Sequence, residues 1–430
     1  MFKNKIFRQR RGFVIRNYLH IVVHTFKNKE IKSFHTWAAL LFATSIFLPY
    51  YVTILAVVVL GSMVLFHWER AHAAFCDVRA KVIMGFCPAV GLISMVYRNY
   101  FGALCALFLF LLLALGFYLR SGMTRQLFHK LLDLVCIGSV LSFLVAGIQK
   151  LFFLPTHPEY RPVSTFFNAN HYATIIEFVV LIALYRLSHR TGHRKFYIGI
   201  IAINLAGLYL TGSMSSLAAL SCAALVFLIL KGKNKLALGV VGAVLAFAVF
   251  ALMFPEIFPR VDMIDHTMGQ RLDIWQVALR GIQETPLFGQ GPLTYMNICE
   301  QFGGLPVIHS HNLFLDTILN YGLFGSLFLF FCALSQLRVI IHRLKNNVCT
   351  SMNFLILSVL AAVLVHGVTD VTIFGIQTGP LFLLICTSMG VQAETKRTRR
   401  AAPVPSLESL HRIREKYSRE GSQGIYSIKR

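Results

Sequence analysis

Long apolar blocks alternate with short polar clusters along most of the chain, and the blocks are continuous rather than two-residue alternations. Twelve stand out, at about 36–49, 51–67, 82–97, 100–118, 131–153, 172–186, 196–211, 214–230, 236–254, 315–337, 352–368 and 374–392. A hydrocarbon layer roughly 30 Å thick takes about 20 helical residues to cross. Lipid satisfies no backbone N–H or C=O, so such blocks predict spanning helices rather than barrel strands. The first two meet so closely at Leu48-Pro49-Tyr50-Tyr51 that they also fit a broken or re-entrant hairpin. The expected fold is all-α, a polytopic membrane bundle of about twelve transmembrane helices.

Composition agrees, with 56% hydrophobic and only 14% charged residues. The basic first 32 residues, Arg70/Arg79/Lys81, Arg120/Arg125/Lys130, Arg186/Arg190/Arg194/Lys195, Lys231/Lys233/Lys235, Arg338/Arg343/Lys345 and the tail from Lys396 all fall on one side of the blocks. By the positive-inside rule that side is the cytoplasm. Residues 1–33 are then a basic cytoplasmic N-terminus, 34–393 the transmembrane domain of a cytoplasmic-membrane protein, and 394–430 a basic cytoplasmic tail. The tail's Leu407, Leu410, Ile413 and Tyr417 have the spacing of a surface-lying helix. The net charge of +23 is mostly topological, with anionic lipid headgroups as its partners and no nucleic acid implied. The basic leader runs into a hairpin without a small-residue cleavage site, so the first helices are expected to serve as the insertion signal. Of nine Cys only Cys299 is placed outside, and no CxxC spacing points to a redox or metal site.

The few cations left on the outer side are Arg98, Lys150, Arg161, Arg260, Arg271 and Arg280. Two outer segments are much longer than their neighbours, 154–171 and 255–311, as functional loops often are. In the larger one, Gly269 to Gln283 carries Leu272, Trp275, Leu279 and Ile282 at helical spacing, which predicts an amphipathic helix on the membrane surface. Pro286 and a Gly289-Gln290-Gly291 turn end it. A guanidinium offers phosphate oxygens a planar fork of donors and keeps its charge, so Arg161 and Arg271, brought together at the outer leaflet, would clamp a diphosphate. Arg260 and Arg280 are weaker candidates for the same ligand. The alternative for each is a snorkelling interface anchor.

The larger loop closes on HSHNLFLDTILNYGLFG, residues 309–325. His311, at the outer end of a predicted span, is a candidate general base toward a hydroxyl, with His309 as its neighbour. A His-x-His pair also suits a metal, but the sequence offers no Cys or Glu cluster to complete the set. A solvated or helix-capping imidazole is the third reading. Asn312 fits a helix N-cap, and Gly322, Gly325 and Ser326 fit close approach of a neighbouring helix. Asn168, Asn170 and His171 suit hydrogen bonds to sugar hydroxyls, or equally a turn before a capped helix. Asp370, outside between the last two blocks, has no cationic sequence neighbour and joins the candidate set without a role.

Together these residues resemble the O-antigen ligase and Wzy polymerase superfamily. His311-Asn312, nine residues, Gly322, two more and Gly325 look like the family's loop-closing motif. GQRLDIWQVALRGIQETPLFGQGPLTY looks like its large-loop signature, and RPVSTFFNANHYA is similar to its arginine-containing loop; the similarity covers roughly 155–390. The resemblance implies a metal-independent, inverting glycosyltransferase of GT-C-like helical architecture that uses no cofactor. Its donor would be an undecaprenyl-diphosphate-linked glycan, and its acceptor a glycan or lipid-linked hydroxyl on the outer face. It would serve capsule, cell-wall or O-antigen assembly. His311 would be the base or acceptor-orienting group, and Arg271 and Arg161 would hold the diphosphate. A flippase of the lipid-linked intermediate is the competing reading, with Glu177, Asp316, His366 and Asp370 as an ion path. Outer-loop chemistry and the lack of an internal repeat count against it.

Overall fold

The computed structural model describes residues 33–189, 193–254 and 264–392. The basic leader, Arg260 and the expected tail helix at 407–417 lie outside these residues. Each of the twelve apolar blocks is occupied by a helix, and the described residues contain no strand. In chain order the helices are α1 (Phe34–Ser45), α2 (Tyr50–Leu65), α3 (Trp68–Ala74), α4 (Val78–Val96), α5 (Tyr100–Ser121), α6 (Arg125–Phe153), α7 (Ala169–Ser188) and α8 (Arg194–Thr211). Then follow α9 (Met214–Leu230), α10 (Asn234–Met253), α11 (Ile264–Glu284), α12 (Thr294–Ile298), α13 (Leu313–Lys345), α14 (Thr350–Gly367) and α15 (Thr378–Cys386).

Seven of these helices are long and apolar enough to cross a membrane, or eight if α2 and α3, bent by 104°, form one broken span. Much of the shortfall from twelve lies in length, while the 18-residue α8, which opens on Arg194 and Lys195, falls short in hydropathy. The 12 residues of α1 reach about 18 Å at 1.5 Å per residue, and α9 and α15 are likewise shorter than a full crossing.

α7 is the buried axis: every residue from His171 to Ala183 is shielded. It packs on α6, α8, α9 and α14. α10 lies at the rim with only Ala237 and Ala251 buried, as suits a helix facing lipid.

The loops sort to two ends. At one end Arg343 donates to the carbonyls of Met389 and Val391 at 2.8 and 2.9 Å, and Lys231 to Ser351 at 2.7 Å. At the other, Asn99 donates to the carbonyls of Gln290 and Pro292, and Gln377 to those of Ile46 and Leu48. The first end carries the basic clusters and the second the two long segments, the partition the charge pattern predicts.

Three local readings change. α11 packs on α13 through Ile274, Val277 and Ala278, while Leu272 and Leu279 are each 49% exposed, so its apolar stripe is split between the protein and the surface. Cys299 is buried within that contact. Gly322 breaks α13 instead of admitting a neighbouring helix. Its φ of 61° and ψ of −171° belong to glycine alone, and a Cβ there would sit 2.3 Å from the Leu287 carbonyl carbon. Leu323 and Phe324 donate their N–H groups across the break to the carbonyls of Pro286 and Leu287 at 2.8 and 3.0 Å. Gly325 meets Tyr321 of its own helix first.

Candidate functional site

Asn168 caps α7, its Oδ1 accepting the N–H of His171 at 2.8 Å, so the bland reading of that residue holds in the geometry. The cap turns Asn170 toward the segment that follows α14, where its amide donates to Asp370 Oδ2 at 2.5 Å. The Asn170 side-chain carbonyl accepts from Arg161 Nη2 at 2.6 Å, and Arg161 Nε donates to the Thr211 carbonyl at 2.6 Å. His171 itself is buried against Gly375, with its ring tilted against Phe167. Asn312 caps α13, accepting from the N–H groups of Phe314 and Leu315, and donates to the Val368 carbonyl, which ties the loop end of α13 to that of α14.

The imidazoles reach Asp370 from this tie. His311 Nδ1 lies 3.1 Å and His309 Nε2 3.7 Å from Asp370 Oδ1, which also accepts the N–H of Val371 at 2.8 Å. The two rings meet edge to face at 4.5 Å. His311 has a φ of 50°, a left-handed conformation His adopts more readily than most residues. Below the turn, buried Asp316 accepts the Ser310 N–H at 2.9 Å and the Asn320 amide at 2.6 Å, fixing the His-Ser-His segment to α13.

Burial pushes the Asp370 carboxyl up, but the His311 hydrogen bond and the His309, His311 and His366 imidazoles outweigh it and hold it well below the usual carboxylate range. Burial pushes His309 down, opposed in part by Asp370. A carboxylate at Oδ1 assigns the His311 proton to Nδ1 and leaves Nε2 with a free lone pair, the arrangement of an oriented base.

Asp370 also answers the metal question differently from the sequence, because it supplies the third donor that was missing. His309, His311 and Asp370 bring ligand atoms within 4.8 Å of one another. The ring protons oppose a metal there. His309 Nδ1 accepts the His311 backbone N–H at 3.3 Å, which places the His309 proton on Nε2, the atom a metal would need.

Arg161 and Arg271 line one cavity of about 200 Å³ with Asn170, Thr267, Thr369 and the turn from Gly212 to Ser215 at the start of α9. Two guanidiniums and a helix N-terminus in one lining suit an anion. Asn170 joins it to the Asp370 cluster. Arg280 is outside this site, exposed on α11 nine residues beyond Arg271, about half a turn round the helix. Lys150 is engaged with the Pro158 and Tyr160 carbonyls, and Arg98 is exposed. The role sequence reasoning missed is that of Asp370, whose partners lie 59 and 61 positions away, so no local spacing announces it.

No curated protein matches the chain. Residues 199–331 match the family model described as O-Antigen ligase, a stretch that begins in α8 and ends beyond the break in α13. That match takes in His311, Gly322 and Gly325, and over these residues the chain is similar to the O-antigen ligase/Wzy family.

Proposed function

We propose that the protein transfers a glycan from an undecaprenyl-diphosphate-linked donor to an acceptor hydroxyl, with inversion and without a metal. The transfer takes place on the outer face of the cytoplasmic membrane, both termini lying inside. The observation that carries this reading is the hydrogen-bonded line from Arg161 through Asn170 and Asp370 to His311, which sets an anion cavity beside an oriented base. The acceptor O–H proton passes to His311 Nε2 as its oxygen attacks the anomeric carbon. The bond from that carbon to the phosphate oxygen breaks, and its electron pair leaves on the diphosphate between Arg161 and Arg271. The leaving group is already a good one, and the two guanidiniums neutralise the charge it gains while His311 deprotonates the nucleophile.

The test is purified protein in nanodiscs with an undecaprenyl-diphosphate oligosaccharide and two acceptors, a second lipid-linked glycan and a core glycolipid. Diphosphate lipid should be released, and His311→Ala and Arg271→Ala should each lose about 100-fold or more. Wild-type release by both variants would sink the site, and abolition by a chelator would sink the metal-free mechanism. A flippase would move lipid across the bilayer without releasing diphosphate lipid.

A further inference from the structure

Glu177 and His366 form an acid–base pair that the proposed transfer leaves unused. They stand on α7 and α14 at 0% and 1% exposure, with His366 Nδ1 2.8 Å from Glu177 Oε1. Glu177 Oε2 and His366 Nε2 are buried without a hydrogen-bond partner. Apolar side chains would hold two helices together at less expense, so an ionisable pair at this depth points to work done with its proton.

A line of hydroxyls leads from the pair to the arginine cavity. Ser216 of α9 lies beside the Glu177 carboxyl without a hydrogen bond to its unpartnered Oε2, and Ser213 Oγ lies 2.9 Å from Ser216 Oγ. Ser213 is the N-cap of α9, yet its side chain makes no capping bond, and it lines the cavity with Arg161 and Arg271. Asp370 and Thr369 donate their N–H groups to the His366 carbonyl, each at 3.0 Å, so one turn of backbone separates this pair from the carboxylate that orients the base. The other charged or titratable groups bearing on it are His171 from α7, Asp370 and, from α11, Arg271; α9 faces it with Ser216.

We propose that Glu177 and His366 hold a proton that Ser216 and Ser213 deliver to the departing diphosphate. The inference rests on reading the cavity as the diphosphate site. When the anomeric C–O bond breaks, its electron pair stays on a phosphate oxygen that becomes terminal and gains charge. Ser213 O–H gives that oxygen its proton, takes the proton of Ser216, and Ser216 takes the one held between Glu177 and His366. His311 meanwhile keeps the acceptor proton. Solvent entering the emptied cavity returns a proton along the same line, so no co-reactant is needed.

The experiment uses the full chain in nanodiscs and measures single-turnover diphosphate release from pH 6 to 8, with binding of undecaprenyl diphosphate measured separately. Glu177→Gln and Ser216→Ala should bind undecaprenyl diphosphate within about twofold of wild type yet release it roughly 100-fold more slowly at pH 8, and Ser213→Ala should show the same slow release. The deficit should shrink toward pH 6, where water can protonate a terminal phosphate whose second pKa is about 6. Wild-type release by Ser213→Ala at pH 8 overturns the relay, as does a deficit equal at every pH, which marks a packing role. If Glu177→Gln fails to fold, Ser213→Ala and Ser216→Ala decide. Failure of the cavity reading shows differently: wild type does not bind undecaprenyl diphosphate, or Arg271→Ala binds it unchanged.

Discussion

Replacing Asp370 by Asn changes one atom and tests whether the carboxylate governs the tautomer of His311. Asn170 donates to Oδ2 at 2.5 Å, so in Asp370→Asn the new side chain would turn its carbonyl toward that amide and present its NH₂ to His311 Nδ1, where Oδ1 had accepted at 3.1 Å, at the cost of the Val371 N–H that Oδ1 also accepts. An NH₂ there forces the ring proton to Nε2 and removes the lone pair from the atom facing the acceptor. Loss of a charge-assisted hydrogen bond alone is worth about 1.5–3 kcal/mol, or roughly 10- to 150-fold in rate at 1.36 kcal/mol per decade. Loss of the base itself extends the range to about 10⁴-fold. The assay is single-turnover release of undecaprenyl diphosphate, alongside lipid binding. We expect Asp370→Asn to fall at least about 100-fold in release, with binding within a few-fold of wild type. A variant within about threefold of wild type, with an unchanged pH profile, would refute an oriented base.

Arg161→Lys keeps the charge but loses the fork that reaches both Asn170 and the Thr211 carbonyl, so turnover should fall about tenfold or more while detergent-solubilised stability changes little. Gly322→Ala puts a Cβ against the Leu287 carbonyl in a glycine-only conformation, and thermal unfolding should show a loss of about 2–4 kcal/mol; an unchanged midpoint would mean α13 is continuous. Burial lowers His309 below its ordinary 6.5, so the unfolded chain takes up a proton that the folded one refuses. Its contribution is complete above 6.5 and is lost as pH falls below it, so His309→Gln should flatten the melting temperature between about pH 7 and 5. In intact cells a membrane-impermeant thiol reagent should label Glu159→Cys, on the exposed 154–160 segment, and spare Cys76; the reverse pattern would invert the orientation. Buried Cys299 is a poor reporter of the outer side.

Hydropathy made the helices legible because lipid imposes one solution on every apolar block, and all twelve blocks are helical. It could not say which helices cross, since the 104° bend after Leu65 and the brevity of α1 depend on how neighbours pack. Arg161, Arg271 and His311 were legible as charges without a topological reason to be where they are. The face of α11 was not, because its stripe competes between lipid and α13, and the protein takes Ile274, Val277 and Ala278. Asp370 was a candidate without a role, because an intramembrane-edge carboxylate is explained only by partners, and His309 and His311 arrive from another part of the chain.

The open rung in α13 at Gly322 is filled from a different part of the chain, by the carbonyls of Pro286 and Leu287, and Gly291 donates its N–H to the Asn320 carbonyl just above. The return limb of the large loop and the upper piece of α13 are therefore one exchangeable cassette. A chimera that imports a foreign loop while keeping the native helix would leave two amides facing mismatched acceptors. Substrate range should be movable between relatives only when residues 285–325 travel together, and the amides of Gly291, Leu323 and Phe324 should exchange with deuterium as slowly as those inside a span.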